Sequence, residues 1–221
     1  MFFPYKIETM LRRWPFANWV IIILTAVVFF MEGSMWEETF RAMVLDGWAP
    51  AGLFGHMLLH RDLVHLGGNL VFLWVFGNAV CGNTSNFAYP VLYLGFGLAA
   101  AAAQNILGGG LAIGASGAIN GVVGMALVMY PVNRVGVFWF FIFRAGTLRI
   151  PLWVLASIWT AFDFLGALNG GDHVAHWAHL GGLAAGLAAG LIGLKKGGVK
   201  LFDYDHPTLL ELMGWGTIAR E

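Results

Sequence analysis

Six stretches of this chain, about Trp14 to Met31, Asp62 to Val80, Phe87 to Ala103, Ser116 to Tyr130, Ile150 to Ala167 and His173 to Leu194, are apolar almost throughout. That property leaves few folds open. A helix needs about twenty mostly apolar residues to cross the hydrocarbon core of a bilayer, so 221 residues have room for six crossings with short connections and no sizeable domain outside the membrane. Hydrophobic residues make up 59% of the chain and charged ones 11%, a balance foreign to water-soluble domains. The expectation is an all-α membrane protein, a six-helix bundle over residues 1–195 followed by a short cytoplasmic tail over 196–221. Pro90 and Pro151 fall near span starts, where a missing amide hydrogen is best tolerated.

A formal net charge of +0 offers no electrostatic case for nucleic acid, and the single cysteine, Cys81, forms neither an internal disulfide nor a cysteine metal cluster. Lys6, Arg12 and Arg13 precede the first apolar run as in a signal peptide, but no polar break with a small-residue cleavage site follows promptly, so that run is expected to be a retained helix. Between Glu32 and Leu53 lies a loop whose Trp36, Phe40, Met43 and Trp48 are mixed with charges, the pattern of a segment resting in the headgroup region.

Basic residues set the orientation. With a cytoplasmic N-terminus, Lys6, Arg12, Arg13, Arg134, Arg144, Arg149, Lys195, Lys196, Lys200 and Arg220 fall inside, and only Arg41 and Arg61 outside, out of 12 Lys and Arg in all. Val135 to Phe143 is apolar and aromatic but too short to span, with Arg134 and Arg144 on the same side; it is expected to form a cytoplasmic interfacial hairpin or helix. The expectation is an integral multi-pass membrane protein with both the N-terminus and the tail from Lys195 to Glu221 cytoplasmic.

Within the fourth span one serine stands among glycines: Gly114-Ala115-Ser116-Gly117, then Gly121 and Gly124. Gly114 permits a tight lead-in turn, and the later glycines leave one side of the helix nearly bare, so another helix can approach its backbone. Gly-x-Ser-x-Gly is not present, since Ala118 stands where its second glycine would be; a lone serine here also serves simply as a small packing residue. In the sixth span His179, Gly182, Gly186 and Gly190 share one stripe, which is the natural mate of the glycine side of the fourth. A neutral imidazole within hydrogen-bond reach of a serine hydroxyl is what is needed to take its proton.

His65 and Asn69, four residues apart, share a face of the second span. With the Ser116 backbone amide they offer donors for a developing oxyanion, while Asn69 also suits interhelical hydrogen bonding and His56 and His60 a capping or loop-ordering role. His173, His176 and His179 invite a metal reading. Their spacing spreads them over about a third of the helix circumference, with Asp172 the only acid beside them, so a tight site needs ligands from another helix. Asp163 is the one acid well inside a span; it suits the third place in a triad, but nothing in the sequence sets it beside His179.

In this order the residues resemble the rhomboid family of intramembrane serine proteases. Three motifs carry the likeness: His60-Arg61-Asp62-Leu63-Val64-His65-Leu66-Gly67-Gly68-Asn69 continuing to Phe76-Gly77-Asn78, then Gly114-Ala115-Ser116-Gly117, then Ala178-His179-Leu180-Gly181-Gly182. The resemblance runs from about Phe54 to Gly190 and implies a rhomboid-like six-helix bundle with a water-filled cavity open to the outside. It implies Ser116 as nucleophile, His179 as general base and then acid, and His65 with Asn69 as oxyanion stabilisers. Neither metal nor cofactor is implied, and the partners are transmembrane protein substrates and the lipid bilayer. Some members carry a tyrosine four residues after the serine, stacked on the histidine; here that position is Asn120. An acidic residue is common where Cys81 stands, and the loop after the first span lacks the Trp-Arg pair of some bacterial members. The function expected from the resemblance is serine endopeptidase activity that cuts membrane-spanning substrates near the outer bilayer face. A non-catalytic relative that binds the same helices, and a histidine-lined metal transporter, are the competing expectations.

Overall fold

The structure, a computed structural model, describes residues 2–142, 144–171, 173–199, 201–202, 205–218 and 220; Phe143, Asp172, Lys200 and Glu221, named above, lie outside the described residues. In chain order the elements are β1 (Phe2–Ile7), α1 (Phe16–Glu32), α2 (Glu37–Met43), α3 (Pro50–Gly55), α4 (Leu63–Asn83), α5 (Ala88–Gly108), α6 (Ser116–Met129), β2 (Arg134–Phe141), β3 (Arg144–Pro151), α7 (Leu152–Asn169), α8 (His176–Lys195) and α9 (Leu209–Leu212). Four of them, α4, α5, α7 and α8, are long and apolar enough to cross a membrane, while α1 and α6 are apolar but shorter, at 17 and 14 residues. On α7 the side chains of Trp153, Ile158, Phe162, Leu165 and Leu168 stand exposed together, a surface that suits lipid and not water.

The centre is the contact between α6 and α8. Nearly all of α6 is buried, and its 14 residues against the 20 of α8 make it about 9 Å shorter at 1.5 Å per residue. A methyl group added at Gly182 would collide with the carbonyl oxygen of Gly117, one at Gly186 with that of Gly121, and one at Gly190 with the side chain of Val128. Two helices are therefore in backbone contact along the stripe expected from the sequence, which fixes the depth of the Ser116 end relative to the His179 end.

A second tie is polar. Asn18 of α1 is fully buried; its Nδ2 donates to the Leu73 carbonyl at 2.8 Å and to Asn78 Oδ1 at 2.9 Å, and its Oδ1 accepts from the Tyr89 hydroxyl at 2.7 Å. Inside α4 the turn Leu73–Gly77 widens to π-helical geometry, and the Asn18 amide reinforces the Leu73 carbonyl at that widened turn, as polar side chains do where an α-helical ladder is interrupted. One side chain so joins α1, α4 and α5.

The all-α expectation needs a correction. An antiparallel three-stranded sheet in the order β1-β2-β3 lies among the helices, because the segment too short to span forms β2 and pairs with the following Arg144–Pro151 as a hairpin, the hairpin alternative expected for it, and the residues before α1 add a third strand. Val135 and Val137 of β2 point into the core, whereas Phe138, Phe140 and Phe141 stay exposed. The Glu32 to Leu53 loop contains α2 and begins α3, and Trp36 and Trp48 are exposed there. Helix α8 starts at His176, not His173, since His173 adopts a left-handed φ of 57° that breaks the turn; α5 runs past Ala103 to Gly108 and stops at Gly109, φ 67°. The stretch after Lys195 folds back, burying Val199, Leu201 and Leu210 in the main core, with Arg220 paired to Glu211 at 2.6 Å.

Gly186→Ala is expected to lower the thermal midpoint of the detergent-solubilised protein, an overpacking loss of about 1–3 kcal/mol. Gly95→Ala, where an added methyl meets nothing within 4 Å, should be neutral or slightly stabilising; equal midpoints for the two variants would refute the close-contact account.

Candidate active site

Ser116 is the first residue of α6. The turn before it depends on Gly114, whose φ of 123° disfavours any side chain and whose missing Cβ leaves room for the His65 ring, with Cε1 and Nε2 at 2.7 and 2.8 Å from where a methyl would stand. The Gly114 amide donates to the His56 carbonyl at 2.8 Å, and Leu45 and Ala112 exchange backbone hydrogen bonds at 3.0 and 3.1 Å. These bonds pin the approach to Ser116 on the segment between α2 and α4. The first amides of a helix have no intrahelical acceptor, so the Ser116 N–H is available at the same point as its hydroxyl.

His179 sits in the first turn of α8, nearer the helix start than a span beginning at His173 would put it. Its Nε2 lies 2.8 Å from Ser116 Oγ, and its Nδ1 lies 2.7 Å from Asp163 Oδ1 on α7. A carboxylate only accepts, so Nδ1 carries the ring proton and donates it to Asp163, leaving Nε2 with a lone pair to accept the serine hydroxyl. His176 Nδ1 donates to the same Asp163 oxygen at 2.8 Å. The pairing of Asp163 is the main residue-level feature that the sequence did not supply. Its signal was there in outline: an acid deep in an apolar span requires donors, and His176 and His179 occupy one face of a neighbouring helix.

Helix α4 brings the other two candidates. Asp62 caps it, accepting the His65 backbone N–H at 2.8 Å. His65 Nδ1 accepts a long hydrogen bond from the Arg61 backbone N–H at 3.5 Å, which places the ring proton on Nε2, facing the Gly114 turn. Asn69 is buried, and its Nδ2 has no hydrogen-bond partner among the described residues, a costly state for a buried donor unless an acceptor arrives. Ser116, His179, His65 and Asn69 all line one cavity of about 400 Å³, with Phe72, Ile113, Ile119 and Val174 among its apolar walls. Asn120 also faces it, but its amide donates to the Ser116 carbonyl at 3.0 Å.

His56 and His60 order the neighbouring loop. His56 Nδ1 is 2.8 Å from the Gly52 carbonyl, and the His60 backbone N–H donates to Glu32 Oε1 at 2.9 Å. Burial, reinforced by the nearby His65, pushes the His60 imidazole down to about 4. Asp163, His176 and His179 bring ligand atoms within 4.8 Å of one another. Both histidine Nδ1 atoms face the same carboxylate oxygen at hydrogen-bond length, 2.8 and 2.7 Å.

The Ser116 hydroxyl, the His179 ring nitrogen on it and the unpartnered Asn69 amide share one cavity. The family model described as the Rhomboid domain matches residues 47–196, more than half of the chain, and the chain belongs to the rhomboid family; it is an integral membrane protein. It is similar to the rhomboid protease GluP of Bacillus subtilis (strain 168), with 30% identity over 198 residues that cover 83% of this chain and 36% of that protein. The chain thus spans little more than a third of the length of this curated relative.

Because the folded-state value for His60 lies below the ordinary histidine value, its neutral form favours the fold fully above about pH 6.5, and that contribution is lost as pH falls from there toward about 4. The thermal midpoint should therefore drop between pH 7 and pH 5, and His60→Phe should flatten the drop. An unchanged slope in the variant would show that another group controls it.

Proposed function

We propose that this chain is an intramembrane serine endopeptidase that cleaves transmembrane protein substrates near the outer bilayer face through Ser116 and His179, without a cofactor. The observation that carries the reading is the 2.8 Å contact of His179 Nε2 with Ser116 Oγ inside a cavity that also holds an unpartnered amide. Ser116 Oγ attacks the scissile carbonyl carbon as its proton passes to His179 Nε2. Asn69 Nδ2, His65 Nε2–H and the Ser116 backbone N–H receive the negative charge that develops on the carbonyl oxygen. His179 then returns the proton to the leaving amine, and water, activated by the same nitrogen, releases the acyl group from Ser116.

In this reading α1 and α6 cross the membrane with the four longer helices, giving six spans over residues 1–195. At 14 residues α6 is about 21 Å long, less than the hydrocarbon thickness, but it is wrapped by its neighbours and so faces little lipid. Its short length supports a serine recessed below the outer surface, with the cavity above it. Ten of the 12 Lys and Arg residues favour a cytoplasmic side that holds the N-terminus, the β2–β3 hairpin and the tail over 196–221. The bacterial inner membrane is the setting that fits.

Turnover of a single-span model substrate by purified protein in proteoliposomes tests this directly. Ser116→Ala should abolish cleavage, and His179→Ala should lower it by several orders of magnitude while the protein stays folded. Asn69→Ala should cost about 10²–10³-fold, because two oxyanion donors remain. A folded His179→Ala protein at near wild-type rate would remove the base from the account, and a wild-type protein that binds such helices without cutting them would favour a non-catalytic relative. Chelation should leave turnover unchanged; loss of activity on metal removal would redirect attention to Asp163, His176 and His179 as ligands.

A further inference from the structure

Asp163 takes no part in the reaction just described, yet it touches the ring of His179 directly. Its Oδ1 receives two imidazole N–H donors, His179 Nδ1 at 2.7 Å and His176 Nδ1 at 2.8 Å, and its side chain is 15% exposed, against 15% and 11% for the two rings. The donors come from one helix, three residues apart, and the acceptor from another, so the arrangement also holds α7 against α8. Asn120 does not support the His179 ring, since its amide is engaged with the Ser116 carbonyl.

We propose that Asp163 is a positioning residue for His179, that it fixes the tautomer with the proton on Nδ1 and the lone pair on Nε2, and that His176 in turn holds the Asp163 carboxylate in place. The inference rests on Ser116 and His179 forming the proposed catalytic pair. Two consequences follow from its chemistry. In the ground state the Nδ1–H···Oδ1 bond keeps Nε2 aimed at Ser116 Oγ. When the serine proton moves to Nε2, the ring becomes an imidazolium whose charge faces an anionic oxygen at hydrogen-bond distance; the Nδ1 proton stays on the ring and Asp163 stays ionised. With these side chains only 11–15% exposed, such a charge-assisted contact is worth more than at a surface. His176 keeps the same oxygen from turning toward lipid, and its ring packs over Gly166, where a side chain would collide with it.

The test uses the full chain in proteoliposomes with the single-span substrate, alongside wild type and Ser116→Ala. Asp163→Asn, which preserves shape and removes charge, should reduce kcat by about 10²–10⁴-fold, in the range seen when the orienting acid of a serine triad is neutralised, with KM within threefold. Asp163→Glu should recover part of the loss, and His176→Phe should lower kcat less than Asp163→Asn does. A second readout needs no turnover: in protein labelled with ¹⁵N-histidine, two far-downfield imidazole N–H proton resonances are expected, one absent in His179→Gln and both moved upfield or lost in Asp163→Asn. A residue that merely packs would leave kcat and these resonances in place.

Folded Asp163→Asn protein with kcat within threefold of wild type overturns the proposal, as do downfield resonances that survive the substitution. Cleavage that persists in Ser116→Ala instead overturns the catalytic reading on which the proposal rests. If Asp163→Asn does not fold, the resonances of wild type against His179→Gln and the kcat of Asp163→Glu decide the matter: absence of a His179 downfield proton counts against it.

Discussion

The backbone contact between the Ser116 helix and the His179 helix is the constraint from which the rest of the site follows. Gly182 against Gly117 and Gly186 against Gly121 leave no room for even one methyl group, so the two helices have a single depth and a single register. In a bilayer, association of helices draws on close packing and not on the exclusion of water, because lipid tails are as apolar as the side chains they replace. Small residues thus do here what a large apolar core does in a soluble enzyme. They also set the reach of a hydroxyl and an imidazole that lie 63 positions apart in sequence.

Polar groups finish what packing begins. Asn18 ties three helices through three hydrogen-bond partners, Asp62 caps α4 and so orients His65, and Asp163 draws α7 to α8 through two histidines. Each is placed where an unpaired group would be costly, which makes each contact selective for one arrangement of helices. Asn69 is different from these. Its buried Nδ2 lacks a partner among the described residues, and it lines the cavity that also holds Ser116, where in the proposed reaction an unmet donor is the kind of local deficit that a transition state can fill.

Much of this is legible in the sequence. Hydropathy marked six apolar segments, the glycine stripe on His179 predicted its mate, and His65 and Asn69 were placed on one face by their spacing alone; all four site candidates meet in one cavity. Three things were not legible, each for a physical reason. The start of α8 depends on the backbone of His173, whose left-handed φ carries no signal in a histidine. For the segment after Arg134 a hairpin is expected alongside a helix and cannot be chosen over it, because its length and apolarity suit both, and its third strand β1 comes from the N-terminal end of the sequence. Asp163 meets His179 through the packing of α7 on α8, and periodicity within one helix says nothing about which neighbour it faces.

The most direct measurement of the central claim is the chemical reactivity of one oxygen atom. Purified protein treated with a serine-directed fluorophosphonate should gain a single adduct, mapped by peptide mass spectrometry to Ser116, and His179→Ala should slow that labelling by orders of magnitude while other serines, Ser85 and Ser157 among them, stay unlabelled in both. Labelling of Ser116 at the same rate in wild type and His179→Ala, or no adduct at Ser116 in folded wild-type protein, would contradict the account.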